Sequence, residues 1–181
     1  MSERRREQSL DLRDLGDGSM VGLSPEVGGS LAQAGAVCME SQQHEPGVEL
    51  VVTGSIAGGY PLQWEPPDEQ ARRTWRNDID ATENGAAGVA LLLARRLLGY
   101  VTTSRSRHGT GFDYWLGRDV DGDPIQDEVR LEVSGIRQGT SVDVDRRVRE
   151  KLSQMNRAEA ATSGYAIIVE FGCPTAKVAT T

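Results

Sequence analysis

The chain has 181 residues, with 27 acidic and 20 basic side chains and a formal charge of −7, a length that suits one domain with a sizeable core. That balance excludes a protein that holds nucleic acid through its overall field. Cys38 and Cys173, far apart and without nearby histidines, suggest neither a disulfide framework nor a zinc site. No apolar run reaches the ~18–20 residues that cross a bilayer, so the expected location is cytoplasmic, with no membrane partner.

The charge is unevenly spread. Residues 1–80 carry 14 acidic and 7 basic side chains, and residues 81–181 carry 13 of each. All the net negative charge lies in the first part, and the second is neutral with local arginine clusters.

Residues 1–18 are charged at the start and lack the apolar segment of a signal peptide, so they read as a disordered leader. Residues 19–79 read as an extension built from a helix and a hairpin. Its helix, 25–42, has Val27, Leu31, Ala34, Val37 and Cys38 on one side, although Gly28, Gly29 and Gly35 weaken it. A turn around His44, read as a surface residue, leads to a β-branched strand at 48–53 and a return strand at 60–64. The glycine-rich link between them lacks a Gly-Lys-Ser/Thr ending and is a hairpin connection, not a phosphate loop. A short polar helix follows at 68–77.

Residues 80–181 form the remainder. The helix 81–98 is apolar on nearly every side and should be buried. Strands follow at 100–104, 111–117 and 130–134, with a hairpin loop at 119–127. Asp119, Asp121 and Asp123 in that loop invite a calcium reading, which fails because Pro124 and Arg130 stand where an EF-hand needs Gly and Glu. The helix 142–156 places Val144, Val148, Leu152 and Met155 inward and Arg146, Arg147, Arg149 and Lys151 elsewhere. The run 166–171, Ala-Ile-Ile-Val-Glu-Phe, reads as a central strand buried on both faces.

Several of these residues are able to do chemistry. In the strand 111–117, alternation puts Asp113 and Trp115 on one face and Phe112 and Tyr114 on the other. A carboxylate there must be paired, hydrogen-bonded or metal-bound; Arg105 or Arg107 would serve as the ion-pair partner. Glu132 shares a face with Ser134, which makes it either a ligand or a solvent-facing residue of a half-exposed strand. Glu83 fits a capping box, reaching back to the Asp80 amide. Arg105, Arg107 and His108 form a basic cluster suited to a nucleic-acid backbone or to a solvated hairpin tip. Arg147 and Lys151 lie four apart on one helix face, which is either functional or simply solvated.

From residue 81 onward the element order is α-β-β-β-α-β, with Glu83 on the first helix, Asp113 on a strand and Glu132-Val133-Ser134 on the next. This order and these carboxylates resemble the restriction-endonuclease-like, PD-(D/E)xK superfamily over about residues 80–172. The runs Arg105-Ser106-Arg107-His108-Gly109-Thr110-Gly111-Phe112-Asp113-Tyr114-Trp115-Leu116-Gly117 and Leu131-Glu132-Val133-Ser134-Gly135 are also similar to those of a bacterial protein group with no assigned activity. The superfamily resemblance implies an α/β fold with a restriction-endonuclease-like αβββαβ core. It implies a metal-dependent endonuclease, with Mg²⁺ or Mn²⁺ held by Asp113, Glu132, the Val133 carbonyl and Glu83. The chain departs from the pattern at Ser134, where a lysine should stand; Lys151 or Arg147 would have to supply that charge. The alternative is a nuclease-like fold without catalysis, serving as a nucleic-acid-binding or assembly subunit among protein partners.

Overall fold

The computed structural model describes residues 9–118, 126–157 and 162–181; the hairpin loop and calcium-like acidic residues at 119–125 lie outside them. Eight strands form one mixed sheet: β1 Leu10–Asp11, β2 Val48–Gly54, β3 Gly58–Gln63, β4 Val101–Arg105, β5 Tyr114–Arg118, β6 Gln126–Ile136, β7 Gly164–Glu170 and β8 Thr175–Thr180, in the order β1-β3-β2-β8-β7-β6-β5-β4. Four helices accompany them among the described residues: α1 Pro25–Ser41, α2 Glu69–Thr74, α3 Asp78–Leu93 and α4 Ser141–Arg157. The protein is thus a mixed α/β structure, and from Asp78 its elements run α-β-β-β-α-β-β, one strand more than the pattern of residues predicts. No described helix is long and apolar enough to cross a membrane.

The strand expected to be central is central. β7 lies between β6, to which it runs parallel, and antiparallel β8. Ile167, Ile168 and Val169 are fully buried, because side chains of alternating direction meet helices on both faces. Ile167 and Val169 join the main core with α1 and α3, whereas Ile168 packs on Val144 and Val148 of α4. Burying each such side chain contributes about 1.5–3 kcal/mol.

α1 is set by Ser24, whose hydroxyl accepts the Val27 amide, with Pro25 in the first turn. Gly28 and Gly35 are contact surfaces rather than weak points, whereas a Cβ at Gly29 would meet nothing within 4 Å. A Cβ at Gly28 would lie 1.8 Å from the Leu15 carbonyl oxygen, and one at Gly85 of α3 would lie 3.0 Å from the Gly35 Cα. The two helices therefore approach more closely than side chains allow.

The boundaries need several corrections. The leader does not extend to residue 18: β1 pairs with β3, a 3-10 turn follows at Leu12–Gly16, and Leu10, Leu12 and Leu15 are buried. Residues 1–8 of that leader lie outside the described residues. The helix and hairpin expected at 19–79 are present, and the hairpin continues the same sheet because β2 pairs with β8. α3 begins at Asp78, three residues before expectation, since the Asn77 side chain accepts the amides of Ile79 and Asp80. Asp80 is therefore already inside the helix, and the Glu83 capping box does not form. The last turn, Ala94–Leu98, is a π-turn. His44 is not a plain surface residue: its Nε2 lies 3.0 Å from the Phe171 carbonyl and 3.1 Å from that of Gly172.

Candidate functional site

β6 outruns β5. The two strands pair only as far as Tyr114 opposite Leu131, whereas β6 runs on beside β7 to Ile136. Beyond that point the β5 side of β6 is a notch in the sheet, and the residues singled out from the sequence gather around it.

Asp113 stands at the lip, just before β5 begins rather than within it. Its amide donates to the Leu131 carbonyl at 2.9 Å. Its carboxylate accepts the Val133 amide at 2.8 Å, satisfying a backbone donor that the missing strand would otherwise pair. The Val133 carbonyl leaves β6 on the same side as its amide, toward the notch. Neither Arg105 nor Arg107 forms an ion pair with Asp113 among the described residues, so the expected arginine pairing does not hold. The facing of Phe112 also differs. Its ring meets Trp115 edge-on at 4.8 Å and lies under Arg130, because regular alternation starts only at Tyr114.

Glu132 follows one step along β6 and is only 2% exposed, which overturns the solvent-facing reading. The period of two turns it toward α4 together with Arg130 and Ser134. There Lys151 forms an ion pair with its Oε1, and the Gln154 amide donates to the same oxygen at 3.3 Å. Burial pushes the Glu132 carboxyl up to about 7; Lys151 pulls it down, and the facing Asp113 carboxylate adds to the rise. The two carboxylates thus lie within electrostatic reach of each other and border one cavity.

α4 delivers the cations. Thr140 and Asp143 cap it reciprocally, the Asp143 carboxylate accepting the Thr140 amide at 2.9 Å and the Thr140 hydroxyl accepting the Asp143 amide at 3.3 Å. Val144 and Val148 seat its apolar side on β7. That rotation turns Arg147 and Lys151 inward, half-buried, instead of leaving them on a solvated face. Arg147 donates to the Ser134 hydroxyl at 2.6 Å, so Ser134 is part of the site although it carries no charge.

Two cavities meet at Asp113. The inner one, about 350 Å³, is bounded by Glu83, Asn84, Ser134, Gly135, Arg147 and Lys151. The outer one, about 500 Å³, lies under the loop carrying Arg107 and His108 and reaches Glu132 and Gln154. Arg105 borders both, with its guanidinium 5.3 Å above the Tyr114 ring. A third cavity lies elsewhere, between Leu12, Gln33, Trp64 and Pro67.

The structure thus brings together Asp113, Glu132, Val133, Ser134, Arg147 and Lys151, and places Arg105, Arg107 and His108 at the entrance. Glu83 is exposed on the α3 wall. Among the described residues no three Asp, Glu, His or Cys side chains converge on one ion position, so Glu83 is not drawn into the tight pair. Gln154, Asn84 and Arg130 were missed by sequence reasoning. Arg130 is buried and donates to the Met155 and Thr162 carbonyls, tying β6 to the end of α4. The one local signal for Gln154 is its place one turn beyond Lys151.

Comparison with known proteins returned no match: no family model, no curated protein and no solved structure corresponds to this chain.

Proposed function

We propose that the protein is a divergent metal-dependent nuclease, with a restriction-endonuclease-like core over residues 80–172, that hydrolyses phosphodiester bonds of nucleic acid. The observation that carries this reading is the Lys151–Glu132 ion pair beside Asp113. The ammonium that Ser134 lacks reaches the same carboxylate from α4, so the loss of the lysine from β6 is offset in space.

The donor set fits a hard divalent cation. Burial first, and after it the facing Asp113 carboxylate, hold the Glu132 carboxyl above its ordinary value, and a cation relieves the like-charge part of that arrangement. Asp113, Glu132 and the Val133 carbonyl would hold Mg²⁺ or Mn²⁺, with the remaining positions left to water and substrate oxygens. When bound, the ion supplies positive charge to the phosphoryl oxygens and lowers the pKa of water. Lys151 orients the attacking water and steadies the charge that develops on the phosphoryl group. Arg105 and Arg107 hold flanking phosphates, and guanidinium forks suit that task.

One observation favours the alternative, a nucleic-acid-binding or assembly subunit without catalysis. Asp113 and Glu132 already have protein partners, and among the described residues no buried side-chain polar atom is left unpaired. The two readings separate in one experiment, in which purified protein is incubated with labelled DNA and RNA in Mg²⁺ and in Mn²⁺. Cutting that Asp113→Asn abolishes supports the nuclease; retained binding without cutting supports the subunit.

A further inference from the structure

The inner cavity is the smaller of the two, walled by Val133 to Gly135 of β6 on one side and by Glu83, Asn84 and Ala87 of α3 on another. Strand and helix pack tightly at its edge, where a Cβ at Gly135 would lie 2.5 Å from the Thr82 carbonyl oxygen. At about 350 Å³ it stands at the low end of small-ligand pockets, with room for a terminal nucleotide but not for a continuing strand. The outer cavity is larger and meets it at Asp113.

Its polar groups suit a phosphomonoester. Arg105 forms no ion pair among the described residues and stacks on Tyr114. Arg147 spends one terminal nitrogen on Ser134 and its Nε on Glu150 at 3.4 Å, which leaves the other terminal nitrogen for a ligand. Because the Ser134 oxygen accepts from Arg147, its own proton is free to donate inward. Glu83, on the exposed wall, is the one lining carboxylate besides Asp113.

We propose that this cavity is an end pocket, in which Arg147, Arg105 and Ser134 hold the terminal phosphate of a nucleic-acid strand. The substrate class is then strand ends bearing a phosphate, with the bond facing Asp113 and Glu132 lying close to that end. The inference rests on the nucleic-acid reading of the site and adds to it a requirement for a terminus.

The test is fluorescence anisotropy on the full chain without divalent cation. The probes are four strands of one sequence: linear with a 5′-phosphate, linear with a 3′-phosphate, linear with hydroxyls at both ends, and closed circular. A phosphate at one of the two ends should tighten binding about tenfold over the double hydroxyl, the scale of one charge-assisted pair. Arg147→Gln should bring that ratio to about one and Arg147→Lys should keep part of it; Arg105→Gln serves as a second variant should the first not fold. Equal affinity for all four strands overturns the proposal. A phosphate preference without any Mg²⁺- or Mn²⁺-dependent cutting keeps the end pocket and removes the nuclease reading. Circles cut as fast as ends keep the nuclease and remove the end pocket.

Discussion

The Asp113 carboxylate accepts the Val133 amide proton at 2.8 Å, so the first acid of the site is tied to the backbone of the strand that carries the second. This bond fixes the spacing of Asp113 and Glu132 without help from a helix. It also explains why an acid stands just before β5 begins: a short acceptor there takes the next free donor of β6 beyond the ladder.

The two acids should respond differently to mutation. Asp113→Asn keeps an acceptor for Val133 and removes repulsion from Glu132, so unfolding free energy should rise by about 0.5–1 kcal/mol while cutting is lost. Glu132→Ala strips the partner from Lys151 and opens a buried space, and should cost about 2–4 kcal/mol. Chemical denaturation of both variants checks this. Equal effects would show that the carboxylates are not electrostatically opposed.

Stability should fall with pH because of Glu132. Burial raises its folded-state pKa from the ordinary 4.5 to about 7, so the folded state holds the proton more tightly than the unfolded chain. The resulting stabilisation is full below about 4.5 and is lost as pH rises through about 7, on the order of 3 kcal/mol in total. Denaturation midpoints of wild type against Glu132→Gln across this window provide the check. The variant should show a flatter profile; an identical slope would place the titration elsewhere.

What was legible in the sequence was legible for physical reasons. α3 and β7 bury residues all round or on both faces, and such runs announce themselves. The common facing of Glu132 and Ser134, both within β6, follows from a period of two. β8 was missed because Ala176 and Val178 alternate with Lys177, which pairs with Asp145, and so short a run of small residues carries little pattern. β1 has only two residues and exists through its pairing with β3. That Lys151 reaches Glu132 could not be read locally. Its place four residues from Arg147 is visible, but which strand face α4 covers depends on Val144, Val148 and Ile168 packing together. Glu83 fits a cap as well as the metal set in the sequence, because Asp80 and Glu83 match the capping-box spacing; Asn77, three residues before Asp80, wins the competition for the first amides.

Divalent cation should stabilise the fold through the same pair of acids. With ion at about 100 times its dissociation constant the gain is ~2.7 kcal/mol, read as a rise in melting temperature with Mn²⁺ or Mg²⁺. Affinity should increase as pH passes about 7, since Glu132 must lose its proton to bind. A rise that persists in Asp113→Asn would place the ion outside this site.

Gly135 tests the wall between the sheet and α3. Its substitution by alanine forces a methyl within 2.5 Å of the Thr82 carbonyl oxygen and should cost about 1–3 kcal/mol through overpacking. A neutral Gly135→Ala in thermal unfolding would mean that α3 is not seated against β6 there.

The central claim is that Lys151 performs the task for which Ser134 lacks a charge, and the cleavage rate of Lys151→Met tests it most directly. With Mg²⁺ or Mn²⁺ present, that variant should bind nucleic acid but cut it at least ~100-fold more slowly than wild type, the scale of a lost transition-state cation. Adding Ser134→Lys to it should restore part of the rate. Cutting by Lys151→Met at the wild-type rate would contradict the account.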